Sequence, residues 1–214
     1  MTNKIIVEVV SDHICPWCYV GKKRLEAAIA QRPELEVQVS WQPFQLSPDM
    51  PREGHDRLEH YQQIFGEERA AQIMQSMQDT GVDEGIGFNY KEGARSPNTL
   101  SAHVLMLLAA KDESVNQNDL AEKLFDAHHV VCEDIGDIDV LVRIADEIGM
   151  DVDAVREKLF SAEAESDVKE LIKKSVERGV TGVPFFIIND RYGLSGAQPI
   201  DSFLATFDQI KETD

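Results

Sequence analysis

A Cys-Pro-Trp-Cys motif at residues 15–18 lies where an apolar, β-branched segment, residues 5–10, gives way to a helix-forming segment, residues 16–31. Proline is favoured at the first position of a helix, because the N–H that it lacks would be unpaired there. Pro16 therefore predicts that Cys15 stands immediately before the helix, next to unpaired amides and the positive end of the helix dipole. We expect this position to lower the pKa of Cys15, with the amides of Trp17 and Cys18 donating to its sulfur.

Two cysteines with this spacing at a strand-to-helix turn are typical of redox sites. Cys15 is the predicted attacking sulfur, and Cys18, one turn further on, is close enough to close a disulfide with it. A zinc site built on this pair would need a second pair of ligands downstream, which the sequence lacks. We predict a catalytic dithiol and no metal. The third cysteine, Cys132, is predicted to be a buried free thiol, with a metal site that uses the adjacent His128-His129 as the alternative.

The two ends of the chain carry the β structure, and the middle is helical. Predicted strands cover residues 4–10, 36–44, 185–188 and 192–195, and predicted helices cover residues 16–31 and 200–210. Residues 55–178 predict further helices, with a break at Gly66 and with one helix that begins at Ser96-Pro97. The loop 46–54, which contains two prolines and a glycine, marks a boundary. This order predicts an α/β fold in which residues 1–47 and 179–214 form one domain, split by an inserted helical domain of residues 48–178.

These motifs resemble thioredoxin-fold proteins of the DsbA type, and most closely the FrnE-like branch of predicted dithiol-disulfide isomerases. The resemblance is carried by Cys15-Pro16-Trp17-Cys18, by Thr181-Gly182-Val183-Pro184 before the predicted hairpin, and by residues 12–21, 41–46, 98–103 and 195–199. It implies a thioredoxin fold with a large helical insertion, and a thiol:disulfide oxidoreductase or isomerase that acts on protein or small-molecule disulfides. A cellular thiol reductant would restore the dithiol, with glutathione as a candidate donor and no other cofactor.

The resemblance also implies substrate-binding residues. In thioredoxin folds the proline that corresponds to Pro184 follows a cis peptide bond and lies beside the active-site cysteines, and the residue before it, here Val183, pairs its backbone with an extended substrate. The sequence alone leaves an ordinary trans proline at the start of a strand equally open. Pro16 and Trp17 are expected to contribute to the same substrate surface, unless Trp17 only covers the start of the helix.

The same architecture also supports different chemistry. Kappa-class glutathione transferases and 2-hydroxychromene-2-carboxylate isomerases insert helices into a thioredoxin fold, but they carry a serine where this chain has Cys15. They also typically carry a Ser-Asp pair near the position of Gly196-Ala197. Both departures favour the oxidoreductase over this alternative. A further alternative is a non-catalytic protein that holds a peptide or a small molecule in the same groove.

The charge and the start of the chain bear on partners and location. The net charge is −18, from 21 basic and 39 acidic residues, which disfavours nucleic acid and anionic membrane surfaces as partners. Met1-Thr2-Asn3-Lys4 leads directly into the first predicted strand without the apolar segment of a signal peptide. No segment approaches the roughly 18 apolar residues of a membrane span. We therefore expect a cytoplasmic protein that makes no contact with a membrane or nucleic acid.

Two side chains near the motif each have two alternative roles. His13, two residues before Cys15, would stabilise a thiolate if it were protonated, and otherwise is a solvated loop residue. Glu8, in the first strand, is either a proton acceptor under the active site or a surface carboxylate. In each case we expect the second role.

Overall fold

The computed structural model describes residues 4–159 and 161–213 of the chain. Within these residues lie the strands β1 (Lys4–Ser11), β2 (Glu36–Pro43), β3 (His55–Asp56), β4 (Arg95–Ser96), β5 (Phe185–Ile188) and β6 (Tyr192–Ser195). The helices are α1 (Pro16–Ala30), α2 (Arg57–Phe65), α3 (Glu67–Glu84), α4 (Leu100–Ala110), α5 (Gln117–Asp126), α6 (Ile138–Glu147), α7 (Val152–Leu159), α8 (Ala162–Glu177) and α9 (Ile200–Thr213). A π-helical turn, Ala127–Val131, follows α5 directly. None of the helices described here is both long and apolar enough to cross a membrane.

The strand β1 lies inside a four-stranded sheet with the order β2-β1-β5-β6. It runs parallel to β2, with Val7 opposite Val39, and antiparallel to β5, with Val9 opposite Phe186. Branched and aromatic side chains suit these positions because they pack well on a pleated, buried sheet. Ile5, Val7 and Val9 alternate along one face of β1 and are fully buried, so this strand forms the centre of the core.

The inserted helices share their core with the sheet. The helices α2 to α8 lie between β2 and β5 in sequence, which confirms the predicted α/β fold with a helical insertion. A connected set of buried side chains runs from Val7 in β1 to Leu105 in α4 and Phe125 in α5. The domain boundaries at residues 47/48 and 178/179 stay predictions.

The break at Gly66 separates two helices, as predicted. The carboxylate of Asp56 accepts from the amides of Leu58 and Glu59 and so caps α2. Gly66 has a φ of 82°, a backbone conformation that glycine adopts without a steric penalty. The chain therefore turns between α2 and α3, which pack against each other.

The predicted helix start at Ser96-Pro97 is wrong. Ser96 pairs with His55 in the short β3–β4 ladder, and the Arg95 guanidinium donates to the carbonyl oxygen of Gly54 at 3.0 Å. These long-range contacts hold the segment in an extended conformation. The helix α4 begins only at Leu100, whose amide donates to the side-chain oxygen of Asn98 at 2.9 Å. The local signal for a helix cap was overridden by pairing with a distant segment.

Candidate active site

Cys15 is the residue before α1, and Cys18 lies in its first turn. Cys15 has an extended backbone, with a φ of −85° and a ψ of 111°, and Pro16 takes the first helical position. The amide of Cys18 donates to the carbonyl oxygen of Cys15 at 3.0 Å. Both cysteines are free thiols, with Cys15 5% and Cys18 0% exposed. The predicted position of Cys15 at the helix N-terminus is confirmed.

The Cys15 sulfur makes a different hydrogen bond from the predicted one. No side chain caps α1, and the Cys15 thiol donates to the carbonyl oxygen of Val183, with a sulfur-to-oxygen distance of 3.7 Å. A protonated thiol seeks an acceptor, whereas donation from the amides of Trp17 and Cys18 would require a thiolate to accept it. The predicted hydrogen bonds from these two amides to the Cys15 sulfur are therefore wrong for the reduced site, in which Cys15 is a thiol.

The segment around Pro184 lies against the start of α1. The Val183–Pro184 peptide bond is cis, which confirms the geometry that the resemblance implies. A Cβ atom at Gly21 would lie 3.1 Å from Cγ of Pro184, so the glycine permits this close approach. Within the described part of the chain the Val183 amide has no hydrogen-bond acceptor, while its carbonyl oxygen faces Cys15. Val183 thus has a free backbone donor close to the predicted nucleophile.

The Cys18 side chain is fully enclosed in the first turn of α1. Burial raises the pKa of the Cys18 thiol well above its usual value, and the neighbouring Cys15 sulfur raises it further. The Ser11 hydroxyl and the Asp12 backbone act in the opposite direction. The Ser11 hydroxyl has no hydrogen-bond partner among the described residues while Cys18 is a thiol, but a hydroxyl can rotate to donate to a thiolate. Cys18 must therefore give up a proton before it can attack a disulfide.

Asp12 and His103 form a buried pair to which the sequence analysis assigned no role. One carboxylate oxygen of Asp12 accepts from the Leu46 amide at 2.8 Å. The other lies 3.5 Å from Nε2 of His103 and makes no hydrogen bond within the part of the chain that the structure describes. A carboxylate that is fully buried with an unpaired oxygen is unusual. The available signal was an acidic residue placed between the buried strand and Cys15.

His13 takes neither of the roles that the sequence left open. Its ring is buried and lies 5.1 Å, between centroids, from the rings of both His103 and Phe125. Burial lowers the pKa of His13 well below its usual value, and His103 and His129 lower it further. The prediction that His13 is a solvated loop residue is therefore wrong. The alternative role also fails, because a neutral ring cannot supply a positive charge to a thiolate.

A cavity of 170 Å³ has Ser11 in its wall, and we call it the Ser11 cavity. Ser11, His13, Trp41 and His103 are among the residues that line it, and each has a buried nitrogen or oxygen atom that finds no hydrogen-bond partner among the described residues. The Ser11 hydroxyl lies next to the Cys18 sulfur, so the Ser11 cavity adjoins the surroundings of Cys18.

A larger cavity of 430 Å³ lies beside Cys15, and we call it the Cys15 pocket. Cys15 forms part of its wall together with the predicted substrate-binding residues Pro16 and Trp17. Val183 and Pro184 do not line it. Much of the remaining wall is apolar and includes Ile14, Leu46, Ile64, Phe65, Ile73 and Met77. Because several of these residues belong to α2 and α3, the inserted helices shape the space next to Cys15.

Cys132 and Glu8 lie away from the dithiol. Cys132 is free and half-buried, and its thiol donates to the carbonyl oxygen of Asn89 at 3.1 Å. The predicted full burial of Cys132 is wrong, because the residue ends the π-helical turn with a φ of 65° at the edge of the core. Glu8 accepts from Arg178 at 2.9 and 3.2 Å, which agrees with the expected surface carboxylate.

Comparison with known proteins gives one curated relative and several solved structures. The chain is 28% identical over 198 residues to the uncharacterized protein YwbO of Bacillus subtilis (strain 168), with 92% of each chain covered. The crystal structure of the probable DsbA oxidoreductase SCO1869 from Streptomyces coelicolor superposes with a TM-score of 0.86 and 29% identity, covering 96% of this chain and 89% of that one. Both similarities extend over nearly the whole chain.

Two more distant structures share the fold. A 2-hydroxychromene-2-carboxylate isomerase has a TM-score of 0.70 and 15% identity, with 97% of each chain covered. The cytosolic disulfide reductase DsbM from Pseudomonas aeruginosa, solved with GSH, has a TM-score of 0.59 and 19% identity, covering 96% of this chain and 99% of that one. At these identities the likeness concerns the fold alone.

A family model places the whole arrangement in a known group. The model described as the DSBA-like thioredoxin domain matches residues 6–208. This range includes the dithiol motif, the inserted helices and the strands that follow cis-Pro184. The DsbA-type thioredoxin fold that the motifs imply is confirmed, and the FrnE-like branch stays a prediction. The chain belongs to the family of DSBA-like thioredoxin domains.

Proposed function

We propose that this protein is a thiol:disulfide oxidoreductase whose Cys15–Cys18 dithiol acts on protein or small-molecule disulfides. The observation that carries the proposal is the position of Cys15, before the first turn of α1 and in contact with the backbone of Val183. The helix dipole at this position favours an anion, which makes the thiolate of Cys15 the attacking group. Membership of a DsbA-like family supports the same activity.

In the reducing direction the reaction has two steps. The Cys15 thiolate attacks one sulfur of the substrate disulfide, so that a Cys15–substrate disulfide forms and the other substrate sulfur leaves as a thiolate. Cys18 then loses its proton and attacks the Cys15 sulfur, which releases the second substrate sulfur and leaves a Cys15–Cys18 disulfide. Two molecules of a cellular thiol, for which glutathione is the candidate, then return two electrons and two protons to the pair and are themselves joined in a disulfide. In the isomerase direction a thiol of the substrate itself attacks the mixed disulfide, and Cys18 serves only as an escape.

The substrate backbone has a place beside Cys15. Among the described residues, the Val183 amide has no acceptor and its carbonyl oxygen accepts only from the Cys15 thiol. When Cys15 ionises, that carbonyl loses its donor, so both backbone groups become available to an extended substrate. Pro16 and Trp17 would contact the substrate from the side of α1, and the indole of Trp17 is 43% exposed.

The proposal also includes the location of the protein and the electron donor that restores its dithiol. DsbM, which shares the fold, is described as cytosolic and was solved with GSH. We extend both features to this chain: a cytoplasmic location, and glutathione as the thiol that restores the dithiol. The net charge of −18 makes nucleic acid and anionic membranes poor partners for this activity.

The alternative is a glutathione transferase or isomerase of the kappa-class type. The fold shared with a 2-hydroxychromene-2-carboxylate isomerase is the observation in its favour. In that chemistry the thiol of bound glutathione would react, and Cys15 would not be oxidised. The two functions therefore differ in whether a Cys15–Cys18 disulfide forms and turns over.

A redox titration tests the proposal. The protein is equilibrated in glutathione buffers of graded potential, quenched with acid, and weighed intact. We expect the loss of two hydrogen atoms at one midpoint, absent in Cys15→Ser and unchanged in the control Cys132→Ser. A midpoint near −270 mV would indicate a reductase, and one near −180 to −120 mV an isomerase or oxidant. If no intramolecular disulfide forms at any potential, the oxidoreductase is refuted and the transferase becomes the better explanation.

A further inference from the structure

A buried cation, Arg57, lies next to the Cys15 pocket and contacts His128, one of the residues that line it. Arg57, the first residue of α2, is 3% exposed. Its guanidinium donates to three carbonyl oxygens, those of Asn89, Arg95 and His128. Its remaining contact is Nδ1 of His128, at 3.1 Å. No carboxylate within the described residues pairs with Arg57, although buried charges are ordinarily paired.

Arg57 fixes the tautomer of His128. A guanidinium can only donate, so Nδ1 of His128 must accept, and the proton of the neutral ring must be on Nε2. Burial lowers the pKa of His128 well below its usual value, and the positive charge of Arg57 lowers it further. The ring is therefore neutral at physiological pH and has one N–H donor.

The donor on His128 is directed to the Cys15 pocket. His128 is 2% exposed and is one of the residues that line the pocket. Arg57 contacts Nδ1 on one edge of the ring, and Nε2 on the other edge makes no hydrogen bond to any residue that the structure describes. The wall of a largely apolar cavity thus includes a hydrogen-bond donor, Nε2–H of His128, whose ring contacts the positively charged Arg57 on its other edge.

We propose that the Cys15 pocket binds an apolar ring bearing a carboxylate, carried by a small disulfide substrate, and that the carboxylate accepts the Nε2–H of His128. The inference rests on the proposed oxidoreductase function and names the substrate class of that site. The apolar part of the wall favours the ring of such a substrate. The positive charge of Arg57, which no carboxylate among the described residues neutralises, favours its negative charge. The volume of 430 Å³ lies in the range of small-molecule sites.

Arg57 and His128 would act on binding and positioning and would take no part in bond breaking. In a protein with a net charge of −18, an anionic substrate is repelled at long range. A local cation buried at low dielectric offsets that repulsion only for an anion seated in the pocket. The carboxylate would then hold the substrate with its disulfide beside the Cys15 sulfur, which is in the same wall.

The test compares two aromatic disulfides that differ in charge. The probes are 5,5′-dithiobis(2-nitrobenzoate), in which each ring carries a carboxylate, and 4,4′-dithiodipyridine, which is neutral. With either probe the Cys15 thiolate forms a disulfide with one aryl sulfur and releases the other as an aryl thiolate. Cys18 then closes the Cys15–Cys18 disulfide and releases the second aryl thiolate. The rate constant of the first step, attack by Cys15, is measured for both probes in a Cys132→Ser background. The ratio of the two rate constants cancels any change in the reactivity of Cys15 itself, because such a change affects both probes.

We expect His128→Leu to lower the ratio of the carboxylate probe to the neutral probe on the order of tenfold, the usual size of one hydrogen bond to a charged group. His128→Gln should recover most of the ratio, because its amide can accept from Arg57 and donate to the carboxylate. His60→Leu is the matched control, since His60 also lines the pocket but has no buried cation behind it, and its ratio should stay within about twofold.

Two results would overturn the substrate class. One is an unchanged ratio in His128→Leu, and the other is a larger loss in His60→Leu than in His128→Leu. In either case the proposed function stands as long as Cys15 reacts with the neutral probe and the intramolecular disulfide closes. If Cys15 reacts with neither probe, the proposed oxidoreductase function itself is refuted. Failure of the substrate class and failure of the function therefore give different results.

Discussion

Replacement of Ser11 by alanine tests how Cys18 loses its proton during the second step. The Ser11 hydroxyl is next to the Cys18 sulfur and lowers the pKa of that thiol. Within the described residues this hydroxyl makes no hydrogen bond while Cys18 is a thiol, so the substitution removes no competing interaction. The Ser11→Ala variant should therefore destabilise the Cys18 thiolate and leave the first attack, by Cys15, unchanged.

The magnitude follows from a single hydrogen bond to a charged sulfur. Such a bond contributes about 1.5 to 3 kcal/mol, and about 1.4 kcal/mol corresponds to a factor of ten. We expect the lower end, because the Asp12 backbone also stabilises the thiolate. Since the folded pKa of Cys18 is already raised, the thiolate is a minor species at neutral pH, and its fraction should fall about tenfold in Ser11→Ala. The pH profile of the second step should move to higher pH, and the two proteins should converge only in alkaline solution.

The two release steps of 4,4′-dithiodipyridine separate the effects. In stopped-flow measurements the first equivalent of aryl thiol reports the attack by Cys15, and the second reports closure by Cys18. The Cys132→Ser background removes the third thiol. Ser11→Thr serves as the matched variant, because it keeps the hydroxyl and its added methyl group enters the Ser11 cavity, which has space for it.

The reasoning would be refuted if Ser11→Ala closed its disulfide as fast as the wild type across the pH range. It would also be refuted if Ser11→Thr were as slow as Ser11→Ala, because the hydroxyl would then be irrelevant. A slower first release in Ser11→Ala would point to damage at Cys15 and equally contradict the assigned role.

Two further predictions concern the stability of α1. Lys22→Met should lower the free energy of unfolding by about 2 to 3 kcal/mol, because the buried ammonium of Lys22 bonds two carboxylates, one of them that of Glu122, at 2.6 Å each. Lys23→Met, which removes a more exposed partner of Glu122 alone, should cost less than about 1 kcal/mol, and equal losses in urea denaturation would contradict this distinction. Gly21→Ala should lower the free energy of unfolding by about 1 kcal/mol, because its Cβ would lie 3.0 Å from the buried Phe186 ring. The cost of this overpacking exceeds the gain in helix propensity. A higher melting temperature for the variant would contradict this and show that the ring can move.

The local features of the dithiol were predictable because they depend on few neighbours in sequence. Pro16 fixes the first turn of α1, so the place of Cys15 before the helix follows from two adjacent residues. The strands were predictable because their residues alternate or are uniformly β-branched. The resemblance carried by the motifs added the cis Val183–Pro184 bond, which the residues alone left undecided.

The surroundings of the dithiol depend on contacts between residues that are distant in sequence. No local sequence pattern contains information about such contacts. The Cys15 thiol meets the carbonyl of a residue 168 positions away, and Arg57 meets His128 across 71 positions. The same holds for His13, whose expected solvation failed because helices from the insertion cover it. The sequence by itself determined that a dithiol opens a helix in an α/β fold. Only the tertiary structure decided which buried groups face each sulfur, because burial and electrostatic environment arise when separate elements pack together.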